Sequence, residues 1–67
     1  MSRKMLSGML KRTRADKGLT QRDLAKQARV TQGYVAQLEM GIRKNPSIET
    51  LKRLAKALGV PVTALLE

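Results

Sequence analysis

Signals that begin and end α-helices follow one another in close succession along the chain, whereas signals for β-strands are missing. Hydroxyl side chains, which cap helix N-termini, stand before three apolar stripes: Thr20, Thr31 and Ser47. Glycines, which favour the left-handed turn past a helix end, follow three of the stripes: Gly18, Gly41 and Gly59. The sequence therefore predicts an all-α fold.

Five helices are expected, each with its own boundary signals. The first covers about residues 6–17, and the second follows Thr20, with Asp23 placed to complete a capping box. The third follows Thr31, and the fourth carries an apolar stripe that begins at Ile48. A short fifth helix begins near Pro61, a residue that suits a first helical turn.

Apolar side chains on these helices are numerous enough to close one core without an aromatic residue. The predicted core comprises Leu10, Leu19, Leu24, Ala25, Ala28, Val30, Val35, Leu38, Leu51, Leu54, Leu58 and Leu65. Helices two and three, joined by a short turn, form a predicted helix-turn-helix over about residues 20–39. We expect a compact five-helix bundle that forms one domain over residues 1–67, with its folded core at about 6–66.

Charge and composition narrow the possible functions. Lys and Arg number 14 against five acidic residues, which gives a net charge of +9 and favours a polyanionic partner. Residues 1–33 carry nine basic and two acidic residues (+7), and residues 34–67 carry five and three (+2). There is no His or Cys, no phosphate-binding loop and no apolar run of membrane-spanning length. We expect no enzyme activity, no metal and no cofactor.

The third predicted helix has two unlike faces at about 100° per residue. One carries Val35 and Leu38. The other is uncharged and flat, and it comprises Gln32, Gly33, Ala36, Gln37 and Met40. A glutamine can make a bidentate contact to adenine, and apolar side chains can touch a thymine methyl, so this face is suited to a half-site that contains A·T pairs. Gly33 allows close backbone approach, or it is an indifferent surface glycine.

Several segments together resemble a known family. Arg14 and the runs "GLTQRDLA", "VTQGYVAQLEMG" and "LKRLAKALGV" are similar to the phage repressor and Cro (XRE-type, lambda repressor-like) helix-turn-helix domains, over about residues 6–66. The resemblance implies a sequence-specific transcriptional regulator, here a repressor, whose third helix enters the major groove of double-stranded DNA. It also implies a homodimer on a pseudo-palindromic operator, for which Val60, Val62 and Leu66 are the expected interface.

Site residues follow from the resemblance together with local chemistry. Gln32, Gly33 and Gln37 match base-reading positions, and Ala36 and Met40 share their face. The expected phosphate contacts come from helix N-termini, basic residues and the loop after helix three: Gln21, Arg22, Thr31, Tyr34, Arg43, Lys44 and Asn45. Tyr34 either donates to a phosphate or packs at the rim. Arg14 and Glu39 match a structural ion pair, and a charge on each buried-side stripe requires such a partner.

Two other binding functions remain open on the sequence. An antitoxin would use the same DNA-binding domain and also bind a toxin protein. An RNA-binding basic protein is the more distant alternative, because Tyr34 is the single aromatic residue in the sequence and base stacking commonly uses several. We expect a cytoplasmic, nucleoid-associated protein.

Overall fold

A computed structural model of the chain describes residues 5–66. It contains five helices in the order α1 (Met5–Asp16), α2 (Gln21–Ala28), α3 (Gln32–Glu39), α4 (Ile48–Leu58) and α5 (Thr63–Leu66), and these residues include no strand. The predicted all-α fold with five helices is confirmed. None of the described helices is long and apolar enough to cross a membrane.

All three hydroxyl caps form as predicted. Thr20 Oγ1 accepts from the backbone N–H of Asp23 at 3.0 Å, and a carboxylate oxygen of Asp23 accepts from the N–H of Thr20 at 3.0 Å, which completes the capping box. These bonds from Thr20 hold the pKa of Asp23 below its ordinary value. Thr31 and Ser47 accept from the N–H groups three residues on. Each cap satisfies an amide that the first turn would otherwise leave unpaired.

The turn between α2 and α3 is built differently from the other helix ends. Gly18 and Gly59 adopt positive φ, as expected of glycines past a helix end. The corresponding residue after α2 is Arg29, with φ 61° and ψ 43°. Its side chain makes this conformation unfavourable by roughly 1–2 kcal/mol relative to the right-handed region. The backbone N–H of Val30 then donates to Ala25 O at 2.9 Å, which closes the turn.

The core follows the predicted list closely. Buried apolar side chains come from every helix: Leu10, Leu24, Ala25, Ala28, Val35, Leu38, Leu51, Leu54, Ala55, Leu58 and Leu65. Leu19 and Val30, also predicted to be buried, are partly buried and pack against this cluster. Ile48, the first residue of the predicted stripe but not part of the predicted core, is 59% exposed. It is the first residue of α4 and lies before the turn that meets the core.

Contacts between the helices support α3 from within the bundle. α2 packs against α3 and α4, while α1 packs against α3 and α5. Arg53 of α4 also donates through Nε to Ala28 O at 3.1 Å, which ties α4 to the last residue of α2. α3 is therefore supported on one side by two helices.

Candidate nucleic-acid interface

The two faces of α3 separate as the helical wheel predicts. Val35 and Leu38 are buried in the core. On the other side, Gln32 and Gly33 are exposed and Met40 is 65% exposed. Ala36 and Gln37, which share this face, are half-buried. A Cβ added at Gly33 would meet no atom within 4 Å, so nothing in the fold itself requires glycine at this exposed position.

An ion pair supports α3 from the core side. Arg14 donates from Nε to Glu39 Oε2 at 2.6 Å and from Nη2 to Oε1 at 3.0 Å, which is a bidentate arrangement. Gln21 Nε2 donates to the same Oε1 at 3.0 Å, and Arg14 Nη1 donates to Leu19 O at 2.8 Å. The side chains of Arg14 and Glu39 are 15% and 2% exposed. We call Arg14, Gln21 and Glu39 the core-side network. It joins α1, α2 and α3.

The network determines the charge state of its carboxylate. Burial by itself raises the pKa of Glu39, but hydrogen bonds from Arg14 and Gln21 outweigh it and hold that pKa below its ordinary value of 4.5. The hydrogen bond to Glu39 raises the pKa of Arg14 in turn. Both residues are therefore charged across the neutral range, and the attraction between them is retained there.

A second arginine contacts α3 on its exposed side. Arg43 donates from Nε to Gln37 Oε1 at 2.8 Å, and its guanidinium carbon lies 5.2 Å from the centre of the Tyr34 ring. The backbone N–H groups of Ile42 and Arg43 both donate to Gln37 O, at 2.9 and 3.2 Å. We call Tyr34, Gln37 and Arg43 the groove-side cluster, after the DNA major groove that this face of α3 is expected to meet. From the sequence, Gln37 is expected to read a base and Tyr34 and Arg43 to contact phosphates, and nothing in the sequence predicts that the three side chains touch.

Two of the predicted phosphate-binding residues, Gln21 and Arg22, line one open surface pocket, and Thr31, Lys44 and Asn45 are exposed. This open pocket on the protein surface is lined in part by Thr20, Gln21 and Arg22 of α2 and its cap, and by Gln32 at the start of α3. Thr31 is exposed and holds its cap bond. Lys44 and Asn45 are exposed in the loop that follows α3. The N-termini of α2 and α3 thus open toward solvent with basic residues nearby.

The predicted dimer residues are less uniform. Leu66 is 55% exposed at the end of α5. Val60 and Val62 are half-buried and pack against the core of their own chain. Within residues 5–66, no group of three His, Cys, Asp or Glu side chains is placed to hold a metal ion.

Comparison with known proteins relates this arrangement to a family. The family model for helix-turn-helix proteins matches residues 10–65. An uncharacterized HTH-type transcriptional regulator of Sinorhizobium fredii is 43% identical over 58 residues, which cover 87% of this chain and 74% of that protein. The HTH-type transcriptional regulator SinR of Bacillus subtilis is 33% identical over 63 residues, which cover 94% of this chain and 57% of SinR.

A phage protein and a solved complex extend the comparison. The immunity repressor protein of Bacillus phage phi105 is 41% identical over 56 residues, which cover 84% of this chain and 38% of that repressor. The crystal structure of SinR in complex with DNA has a TM-score of 0.90 to this fold at 33% identity, covering 94% of this chain and 100% of that one. The chain thus spans only part of the length of SinR and of the immunity repressor. It belongs to the phage repressor and Cro-like (XRE-type) family of helix-turn-helix transcriptional regulators.

Proposed function

We propose that this chain binds double-stranded DNA sequence-specifically, with α3 in the major groove, and acts as a repressor. The observation that carries the proposal is the face of α3 without charged side chains, on which Gln32, Gly33 and Met40 are exposed. Val35 and Leu38 anchor the opposite face in the core. A helix fits the major groove, where each base pair presents a distinct pattern of donors, acceptors and methyl groups. The solved complex of SinR with DNA supports this use of the fold.

Base reading falls to the exposed face of α3. Gln32 has a free amide that can accept from adenine N6 and donate to N7. Ala36 and Met40 offer apolar surface to a thymine methyl. Gly33, the second residue of α3, leaves the backbone accessible to DNA near the N-terminus of this helix.

Affinity comes mainly from the phosphates. The net charge of +9 attracts the duplex, and neutralised phosphates release counterions. The N-termini of α2 and α3 offer backbone amides and the positive ends of helix dipoles. Arg22, Lys44 and Asn45 are exposed near these ends or in the loop after α3, where they can fix the register of the protein on DNA.

A homodimer on a pseudo-palindromic operator completes the proposal. One short helix reads only a few base pairs, and two symmetric half-sites about one helical turn apart double the contact. The proposed contact between protomers comprises the exposed Leu66 of α5 and the half-buried Val60 and Val62 in the segment that precedes α5. The role is binding alone, without a catalytic step, on nucleoid DNA in the cytoplasm.

Selection of bound sequences from random duplex DNA tests the proposal. We expect an enriched, pseudo-palindromic site that binds two protomers per duplex, and four to eight phosphate contacts give a log–log salt slope of roughly −4 to −7. Duplex RNA serves as the competitor that separates DNA from RNA binding. A pool without enrichment would contradict sequence-specific binding, and a slope near zero would contradict the phosphate contacts. One protomer per duplex at saturation would contradict the dimer.

A further inference from the structure

The hydrogen bond from Arg43 fixes the orientation of the Gln37 amide. A guanidinium has only donors, so the group that faces Arg43 Nε at 2.8 Å must be the amide oxygen of Gln37. The Nε2 amino group, with its two N–H donors, therefore points away from Arg43. The Tyr34 ring, 5.2 Å from the guanidinium carbon, helps to hold the plane of Arg43.

The backbone places Arg43 independently of its side chain. The N–H groups of Ile42 and Arg43 both donate to the carbonyl oxygen of Gln37. The main chain and the side chain of Gln37 are thus both bonded to the same loop. This second set of bonds keeps Arg43 beside Gln37 and makes their side-chain contact a consequence of the loop conformation.

We propose that Arg43 is a positioning residue that presents Gln37 to the groove as a hydrogen-bond donor, so that this position of α3 selects guanine over adenine. The inference rests on the proposed DNA-binding function and specifies one base within it. Guanine presents two acceptors, N7 and O6, in the major groove, and both match the outward amino group of Gln37.

Adenine is disfavoured at the same position. Its bidentate pairing with glutamine requires the amide oxygen to accept from the N6 amino group. In the groove-side cluster that oxygen already accepts from a cation, and a second donor would have to approach beside the guanidinium. Guanine O6, being an acceptor, is instead attracted by that charge.

Gln32 provides the contrast on the same helix. It is exposed, and within residues 5–66 its side chain holds no hydrogen bond. Its amide can rotate to present oxygen and nitrogen together, which suits adenine. The two glutamines of α3 therefore select different bases, although they are chemically identical.

Arg43 retains capacity for a phosphate as well. Its Nη groups hold no hydrogen bond within the described residues, so they can donate to the backbone while Nε holds Gln37. The removal of Arg43 therefore has two separable effects: loss of one positive charge, and release of the Gln37 amide. Lys44, exposed in the same loop, carries the first effect without the second.

Parallel selections with the wild-type chain, Arg43→Ala, Lys44→Ala and Gln37→Ala test the inference. We expect Gln37→Ala to identify one base position, and the wild-type preference there to be guanine. Arg43→Ala should reduce the preference for guanine over adenine at that position by about three- to fivefold, the range that an exposed contact can supply. Lys44→Ala should leave this preference unchanged, while both loop variants make the salt slope shallower by about one. Replacement of that guanine by 7-deazaguanine should weaken the wild-type chain and not Gln37→Ala.

The outcomes separate the inference from the function on which it rests. A wild-type chain that enriches no sequence contradicts the proposed function itself. A wild-type chain that enriches a site with adenine at the Gln37-dependent position overturns the donor-outward orientation and leaves the function intact. If Arg43→Ala and Lys44→Ala retain the same preference there, Arg43 does not position Gln37. Equal thermal midpoints for the two loop variants would show that unfolding is not the cause of a changed preference.

Discussion

Two arginines, Arg14 and Arg43, contact opposite faces of α3 through similar hydrogen bonds. One bond is largely buried and the other is exposed to water, so we expect the first to affect stability and the second to affect recognition. Arg14 donates through Nε to Glu39 at 2.6 Å within the core-side network, and Arg43 donates through Nε to Gln37 at 2.8 Å within the groove-side cluster. The Glu39 side chain is 2% exposed, whereas Arg43 lies on the surface. Water can replace a lost partner only in the second case.

The difference separates stability from specificity. A buried carboxylate that loses its partner must remain desolvated and unpaired, so the core-side network contributes to the free energy of unfolding. An exposed polar contact competes with water and contributes about 1 kcal/mol or less. The groove-side cluster can therefore change with little effect on folding, which leaves it available to determine which base is read.

The largest expected effect is on stability. Arg14→Ala should lower the free energy of unfolding by about 3 kcal/mol, because Glu39 is left buried with Gln21 as its remaining side-chain donor. Arg12→Ala is the matched control, since it removes an exposed arginine from the same helix and should change stability by about 0.5 kcal/mol or less. Urea unfolding measures both. Equal effects for the two variants would contradict the contrast between the two sides.

The next effect is on recognition. Gln32→Ala and Gln37→Ala should each cost about 1–3 kcal/mol of discrimination at one base position, while non-specific duplex binding stays nearly constant. Both should leave the thermal midpoint almost unchanged, because Ala is the better helix former and neither side chain is in the core. Val35→Ala is the control that should lose stability through a cavity. If Gln37→Ala unfolded the chain, the groove-side cluster would be a stability element.

A smaller effect concerns pH. Because the folded pKa of Glu39 lies below its ordinary value of 4.5, its contribution to stability is complete above that value and is lost as the pH falls through the folded pKa. Glu39→Gln should flatten the dependence of unfolding free energy on pH below about 4.5. Asp23, whose pKa is also lowered, contributes with the same sign, so Asp23→Asn measures the remainder. An unchanged acid profile in Glu39→Gln would show that Glu39 has similar pKa values in the folded and unfolded chain.

The smallest expected effects separate two roles of Tyr34. Tyr34→Phe keeps the ring beside Arg43 and removes only the hydroxyl, so it should leave base preference unchanged and weaken all duplexes slightly if that hydroxyl donates to a phosphate. Tyr34→Leu removes the ring and its attraction for the guanidinium, worth about 0.5–1 kcal/mol at an exposed site. It should loosen the preference at the Gln37 position. The same duplex competition measures both variants, and identical preferences would assign the ring no part in the groove-side cluster.

Local rules were sufficient to predict most of the fold. The caps at Thr20, Thr31 and Ser47 and the buried stripe around Leu54 follow from hydrogen bonding and periodicity within single helices. The Arg14 contact to Glu39 was also predictable, because a buried charge requires a partner.

Other features depend on tertiary geometry that periodicity does not encode. Arg43 is a long side chain in an irregular loop, with many rotamers open to it, so its contact to Gln37 appears only when the loop has been placed. Residue 29 adopts a left-handed backbone conformation but is an arginine, so the glycine that usually signals such a turn is not there to be recognised in the sequence. Ile48 begins the apolar stripe of α4 but lies one turn before the first residue of that stripe that reaches the core.

The backbone N–H groups of Ile42 and Arg43 both donate to the Gln37 carbonyl. These bonds determine how long a segment must be transplanted to carry the proposed base preference of Gln37 to another scaffold. A graft of α3 alone, residues 32–39, leaves Arg43 behind and delivers a glutamine whose amide is free to rotate. A graft of residues 32–43 carries the loop, its backbone bonds and the orienting arginine together. An insertion after Met40 would move Arg43 away from Gln37 and should change the inherited preference without altering any residue of α3.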